Sequence, residues 1–154
     1  MLLLDNGLLL RWLNMTGDTS ELTAQILTHS ATDLVNKGAL TEMIAGLELL
    51  RYRTPNMRHE LFYWVRKAKN AQAEVDYLAT YQSEVLPIEV KAGTQGGMKS
   101  LWQFMREKKL KNAIRASLEN FDVFTYTDTE EEAIRTIWVC PLFALSQINK
   151  VITD

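Results

Sequence analysis

The first third of the chain has the hydrophobic spacing of helices, and the remainder has mainly that of strands. Apolar residues recur every three or four positions over 21–35 and again over about 39–51, which predicts two amphipathic helices. The opening Met-Leu-Leu-Leu is apolar at every position, which is typical of a buried strand. From residue 61 onward, short runs of β-branched and aromatic residues predict five strands, over 61–65, 73–80, 85–93, 112–118 and 134–140.

Two further helices are predicted among these strands. Residues 98–110 place Leu101, Phe104 and Met105 on one face, and a closing helix begins at Pro141, because proline is favoured at the first helical position. The run at 121–127 reads as a continuation of the fourth strand, ahead of an acidic loop. Helices, three meandering strands, a crossover helix and further strands predict an α/β domain of the mixed α+β type, with a mixed central sheet flanked by helices.

Composition excludes several classes of protein. The 154 residues, at 47% hydrophobic and 23% charged, suit one globular domain and exclude a disordered chain, a collagen or a coiled coil. A single cysteine excludes an internal disulfide and a multi-cysteine zinc site. No apolar run reaches the ~20 residues of a membrane span, and Asp5 interrupts the apolar start, which lacks a basic region. We therefore expect a cytoplasmic protein without a membrane partner.

The charge is unevenly distributed along the chain. Residues 51–115 contain thirteen basic and six acidic side chains, although the whole chain has a net charge of −2. This basic middle is compatible with a phosphate-binding face, and equally with ordinary solvated surfaces. Arg66 and Lys67 within it are candidate nucleic-acid-binding residues. Lys99 and Ser100 are two more, because they open a predicted helix whose first amides point outward.

The spacing of charged residues around 74–91 predicts a metal-dependent site. Glu89 and Lys91 are two apart on a predicted strand, so their side chains share a face, and Asp76 on the neighbouring strand can lie opposite them. Two carboxylates on adjacent strands suit Mg²⁺, with Asp76 and Glu89 as ligands. A lysine beside them can orient water or stabilise charge on a phosphate. The alternative is that Glu89 and Lys91 are only polar positions of a half-buried strand.

Other candidates carry less weight. Glu42, on the helix before the strands, is a possible auxiliary carboxylate, with Glu48 as its rival, and each is also compatible with a solvated helix position. A second acid-x-lysine pair, Glu107 and Lys109, lies on a predicted helix, where residues two apart diverge by ~200°. The glycine-rich stretch 93–100 does not match a phosphate loop, because Met98 separates its last glycine from the lysine, so we expect no ATP site.

Several segments together resemble a known family. In chain order they are LLDNGLL (3–9), GALTE (38–42), LFYW (61–64), AEVDY (73–77), PIEVKAG (87–93), KSL (99–101) and PLFAL (141–145). These resemble the C-terminal domain of prokaryotic AAA-type ATPases known as domain of unknown function 4143. Its charged motifs are in turn similar to those of the PD-(D/E)xK superfamily, which has the restriction-endonuclease-like fold.

The resemblance carries its own expectations. It implies a restriction-endonuclease-like sheet, with Glu42, Asp76, Glu89 and Lys91 as an active or vestigial nuclease site. It implies an N-terminal ATPase domain absent from this chain, with residues 1–37 as a helical segment joining it and 38–154 as the nuclease-like domain. The function expected is Mg²⁺-dependent hydrolysis of nucleic acid. The alternative is an inactive module that binds nucleic acid or a partner protein; the oligomeric state stays open.

Overall fold

A seven-stranded mixed sheet organises the described part of the chain. The computed structural model describes residues 2–4, 38–52, 60–68, 71–92 and 97–152. The strands are β1 (Leu2–Leu4), β2 (Leu61–Ala68), β3 (Ala71–Tyr81), β4 (Glu84–Val90), β5 (Asn112–Ser117), β6 (Asp122–Asp128) and β7 (Ala133–Pro141). The helices are α1 (Gly38–Arg51), α2 (Lys99–Glu107), a 3₁₀ helix (Leu142–Gln147) and α3 (Ile148–Val151). The mixed α/β class predicted from the hydrophobic pattern is confirmed.

The spatial order of the strands is β1-β2-β3-β4-β5-β7-β6. Strands β1 to β4 are antiparallel neighbours, β4 pairs parallel with β5, β5 pairs parallel with β7, and β6 returns antiparallel along β7. The helix α2 provides the crossover from β4 to β5, as a parallel connection requires. Strand β4 therefore has an antiparallel neighbour on one side and a parallel neighbour on the other.

Helices cover the two faces of the sheet and define two hydrophobic cores. On one face, Leu101, Phe104 and Met105 of α2 pack against β2, β3, β5 and β7, and the rings of Trp64 and Phe104 lie 4.9 Å apart. On the other face, α1, the 3₁₀ helix and α3 cover side chains of β3, β4 and β5. Strand β5 sends Ile114 and Ala116 into the second core and Ala113 into the first, whereas β4 contributes apolar residues only to the second.

Several predicted boundaries change in the structure. Residues 122–128 form a separate edge strand, not a continuation of β5, because the chain bends at 118–121 and returns along β7. Strand β2 extends to Ala68, and the closing helix is a 3₁₀ helix followed by one short α-helical turn, with Pro141 as the last residue of β7. The predicted helix over 21–35 lies outside the described residues.

A tight turn fixes the register between β3 and β4. Gln82 and Ser83 connect the two strands, and both have positive φ, of 47° and 67°. Two consecutive residues in this region are the signature of a type I′ turn, whose twist matches that of antiparallel strands. The turn sets the pairing of Tyr77 with Ile88, the last pair at this end of the ladder, so Asp76 and Glu89 lie immediately beyond it on their two strands.

A buried arginine ties α2 to the far edge of the sheet. Arg135 on β7 contacts Asp128 on β6, with a nitrogen–oxygen distance of 3.2 Å, and both side chains are almost completely buried. It also donates to the backbone carbonyl of Met105, within the last turn of α2, and to that of Leu110, which follows the helix. At Met105 the bond from Arg135 adds to the one that the carbonyl already accepts from the Leu110 N–H, so the arginine strengthens the C-terminal end of α2. No described helix is long and apolar enough to cross a membrane.

Candidate carboxylate–lysine site

Strands β3 and β4 separate at one end of their ladder, and this fork positions Asp76. Backbone pairing between these strands ends at Tyr77 and Ile88, after which β4 continues along β5. Asp76 lies in the gap, where its Oδ2 atom accepts the backbone N–H of Val90 at 2.7 Å. The carboxylate thus replaces a carbonyl partner at the point where the strands separate. This contact fixes the side chain at the opening of the fork.

A β-bulge accompanies the fork. Between β2 and β3 the register shifts from Phe62 opposite Leu78 to Trp64 opposite Val75, so that Asp76 and Tyr77 together oppose one residue of β2. Bulges interrupt the alternation of side chains and re-aim them, and they are common beside functional sites. Here the bulge allows Val75 and Tyr77, which plain alternation would place on the same face, to enter different hydrophobic cores.

Glu89 and Lys91 form an ion pair at the end of β4. Lys91 Nζ donates to Glu89 Oε1 at 2.6 Å, as their shared face predicts. The Glu89 residue is only 6% exposed. Its second oxygen, Oε2, is buried without a hydrogen-bond partner among the described residues. A buried anionic oxygen without a partner is energetically costly, so this atom is the clearest sign that the site is arranged for a ligand.

Glu42 approaches the site from α1. Its backbone carbonyl accepts a hydrogen bond of 2.8 Å from the buried Tyr77 hydroxyl, which anchors this turn of the helix to β3. The contact requires glycine at position 46, since a Cβ atom there would lie 2.8 Å from the Tyr77 oxygen. Burial, together with the carboxylates of Glu74 and Glu89, raises the pKa of Glu42. The rival candidate, Glu48, forms an exposed ion pair of 3.0 Å with Arg51.

The electrostatics of the cluster favour protonated carboxyls. Burial raises the pKa of Asp76 to about 7, with further contributions from Glu89 and Glu42 that the Val90 amide and Lys91 only partly oppose. Burial also raises the pKa of Glu89, against the lowering effect of Lys91. One lysine thus faces several acidic groups. When these carboxyls ionise, negative charge exceeds positive charge at the site, and an added cation would relieve this excess.

Glu74 belongs to the same cluster, although the sequence interpretation did not select it as a site residue. It lies two positions before Asp76 on β3, is exposed, and raises the pKa of both Glu42 and Glu89. The sequence did contain evidence for Glu74. The two-residue spacing that places Glu89 and Lys91 on one face of their strand also places Glu74 and Asp76 on one face of theirs.

The candidate nucleic-acid-binding residues are spread over the surface. Lys99 is exposed and Ser100 half-buried at the start of α2, which follows the site strand β4. Arg66, on β2, instead pairs with Glu107 at the opposite end of α2, at 2.8 Å. The backbone of Lys67 lies opposite that of Gln72 in the β2–β3 ladder. The structure thus separates Arg66 from Lys99 and Ser100 by the length of α2.

The donor set suits a divalent cation held by few protein ligands. Asp76 and Glu89 offer carboxylate oxygens, and hard cations such as Mg²⁺ prefer oxygen. Within the described ranges, no group of three or more histidine, cysteine, aspartate or glutamate side chains is close enough to enclose a metal ion. A site with only these two carboxylates would leave most of the coordination of Mg²⁺ to water. The unpartnered Glu89 oxygen and the excess negative charge both fit such an ion.

Asparagine at position 76 is expected to stabilise the protein at alkaline pH. The raised pKa means that folded protein holds the Asp76 proton more tightly than the unfolded chain, so stability falls as pH rises from ~4 to ~7. Asp76→Asn removes this loss and keeps an oxygen for the Val90 amide. We expect its free energy of unfolding to exceed that of the parent by about 4 kcal/mol at pH 8, and by little at pH 4.

Urea denaturation at the two pH values measures this difference. Glu84→Gln is the matched control, because Glu84 is an exposed carboxylate on β4 outside the cluster. An equal offset for Asp76→Asn at both pH values would show that the Asp76 carboxyl titrates normally.

Comparison with known proteins places the chain in a family. No curated protein sequence matches it. A family model does match, over residues 37–145, which is more than two thirds of the chain and includes α1, the whole carboxylate–lysine cluster and β7. The resemblance to domain of unknown function 4143 is thereby confirmed, and the chain belongs to the family described as Domain of unknown function (DUF4143).

Proposed function

We propose that the domain hydrolyses phosphodiester bonds of nucleic acid in a Mg²⁺-dependent reaction, as a nuclease-like module of the restriction-endonuclease type. The observation that carries the proposal is the Glu89 carboxylate, buried with one oxygen bonded to Lys91 and the other without a partner among the described residues. Asp76 is aligned beside it by the strand fork. A buried lysine–carboxylate pair next to a second carboxylate is the minimal set for metal-assisted hydrolysis.

Each residue then has a distinct task. Asp76 and Glu89 hold the cation, which when bound supplies Lewis-acid activation of the phosphate and lowers the pKa of water. Lys91, held at 2.6 Å from Glu89, keeps its ammonium beside the reacting phosphate, where it stabilises the added negative charge. Glu42, with its raised pKa, accepts a proton through water as an auxiliary base.

The nucleic-acid backbone is proposed to approach from the start of α2. Lys99 and Ser100 lie there, eight and nine residues along the chain from Lys91, and the first amides of a helix favour phosphate. Arg66 and Lys67 are further along the surface and would contact the backbone at a distance from the site. Binding that depends on such contacts weakens steeply with salt.

The proposal also covers the larger protein in which this domain acts. The motif resemblance supports a role as the C-terminal domain of a cytoplasmic AAA-type ATPase, with the ATPase unit preceding it. In this arrangement residues 1–37 join the two units and residues 38–154 form the nuclease-like part. ATP would bind to the ATPase unit.

A cleavage assay with Asp76→Asn tests the proposal. Labelled single-stranded, duplex and branched DNA, and single-stranded RNA, are incubated with the protein in Mg²⁺, in Mn²⁺ and in EDTA. We expect metal-dependent cleavage by the parent and a loss of at least ~10²-fold in Asp76→Asn, because a metal ligand is removed. This variant is informative because we expect it to gain stability, so lost activity will not reflect unfolding.

Glu84→Gln is again the control and should cleave like the parent. Mg²⁺ should also raise the melting temperature of the parent and not that of Asp76→Asn, since a ligand of the folded state stabilises it by mass action. Cleavage that persists in Asp76→Asn contradicts the proposed site. Salt-sensitive nucleic-acid binding without cleavage, unchanged in Asp76→Asn, supports the alternative of an inactive binding module.

A further inference from the structure

An apolar groove lies at the β6 edge of the sheet, beside the 3₁₀ helix. It has a volume of about 780 Å³ and is shallow and open to solvent. Its apolar lining comes from β6, β7 and the C-terminal helices, including Phe121, Val123, Trp138, Phe143 and Val151. None of these residues belongs to the carboxylate–lysine cluster. The groove is therefore a second feature of the surface, independent of the proposed active site.

Two phenylalanines in this groove are unusually exposed. Phe143, on the 3₁₀ helix, is 74% exposed, which is the highest value for a large hydrophobic side chain in the described part of the chain, and Phe121 is 57% exposed. Exposed apolar residues that stand alone are common, but a contiguous aromatic patch beside a groove marks an interaction surface. Phe143 lines this groove and is exposed, so its ring is available to enter the same groove on a second molecule.

The polar residues of the groove carry opposite charges. Asp122 lies at the start of β6 and Lys150 on α3, and both line the groove. Neither side chain forms an ion pair with another described residue. A surface with one acid, one base, an exposed ring and a groove offers both partners of each contact that a twofold dimer requires. In that arrangement each acid faces the base of the other copy.

We propose that a second copy of this chain docks on the groove to form a twofold dimer, in which Phe143 of each copy enters the groove of the other. Asp122 of one copy then pairs with the partner's Lys150, and the same contact occurs twice. With ~200 Å² of surface per phenylalanine, the exposed parts of Phe121 and Phe143 from both copies supply about 500 Å². That is about half of the ~1,000 Å² expected of a specific interface.

Light scattering after size-exclusion chromatography, over two decades of protein concentration, tests the dimer. The expected mass is about 35 kDa, twice the 17.7 kDa of the chain, falling toward the monomer on dilution. Phe143→Asp should be monomeric throughout. Ile134→Asp is the matched control, because Ile134 is 66% exposed on β7 but does not line the groove, and it should remain dimeric.

A charge exchange identifies the contact itself. Asp122→Lys and Lys150→Asp should each weaken dimerisation by about tenfold, and the double variant should restore it, since the pair is then only reversed. A parent that stays monomeric at all concentrations overturns the proposal, as does a dimer unaffected by Phe143→Asp. Assemblies larger than a dimer also overturn it, because they require an interface that does not close on itself.

Discussion

Replacing Lys91 by methionine is expected to lower the rate of metal-dependent cleavage by about 10³-fold, with nucleic-acid affinity reduced by no more than a few-fold. Lys91 is held by Glu89 at 2.6 Å, and its ammonium is the one cation in direct contact with the buried carboxylates of the described cluster. Loss of a single preorganised charge at a reacting phosphate costs about 10²–10³-fold in similar sites. The larger value is expected because Glu89 then also loses its partner.

Single-turnover cleavage of the best substrate measures the effect, with binding followed separately by fluorescence anisotropy. Lys111→Met is the matched control, because Lys111 is exposed and lies away from the carboxylates, on the approach to β5. Circular dichroism establishes that both variants fold. A Lys91→Met protein that cleaves within threefold of the parent would assign the lysine a structural role only.

Replacing Arg135 by methionine is expected to destabilise the fold by about 3–5 kcal/mol, the range for breaking a buried ion pair. Methionine has a similar length but no donors, so Asp128 and the carbonyls of Met105 and Leu110 all lose a buried partner. Asp128 keeps a bond from Arg106, and the Met105 carbonyl keeps one from the Leu110 N–H, but each loses a bond to a buried charge that no water replaces. The effect should be seen in urea denaturation, as a lower transition midpoint.

Arg66→Met provides the comparison for this substitution. Arg66 also pairs with a carboxylate, Glu107, at 2.8 Å, but on the exposed surface of the sheet. Solvent screens such a pair, so we expect a change below about 1 kcal/mol. If the two arginine substitutions cost the same, burial of Arg135 is not what makes its contacts important.

The centre of the candidate site could be predicted because it depends on strand periodicity and pairing. Two-residue spacing placed Glu89 and Lys91 on one face, and a short turn brought Asp76 to the same end of the β3–β4 ladder. The contact of Glu42 with the cluster could not be derived from spacing, because it depends on how α1 docks through Tyr77 and Gly46. The β-bulge between β2 and β3 could not be predicted either, since one extra residue in a strand does not change the local composition.

The edge of the sheet shows a different limit of sequence interpretation. Strand β7 alternates, but its outward position at the N-terminal end is Ile134 and its buried neighbour is Arg135, the reverse of what polarity alone predicts. Burial of Arg135 is favourable only because Asp128 and the backbone carbonyls at the end of α2 bind its guanidinium group. These partners come from two separate elements, so the spacing within β7 does not reveal them. The separate strand β6 was missed for a related reason, because the bend at 118–121 contains neither glycine nor proline.

The two-residue turn between β3 and β4 also has a consequence for the order of folding. Asp76 and Glu89 are thirteen residues apart, so the hairpin that joins them closes a short loop at little entropic cost. The pairing of β1 with β2 joins residues almost sixty positions apart, and the parallel strands each require a crossover. Contacts of low sequence separation form fastest. The acidic centre of the site therefore assembles early, and Glu42 joins it only when α1 docks.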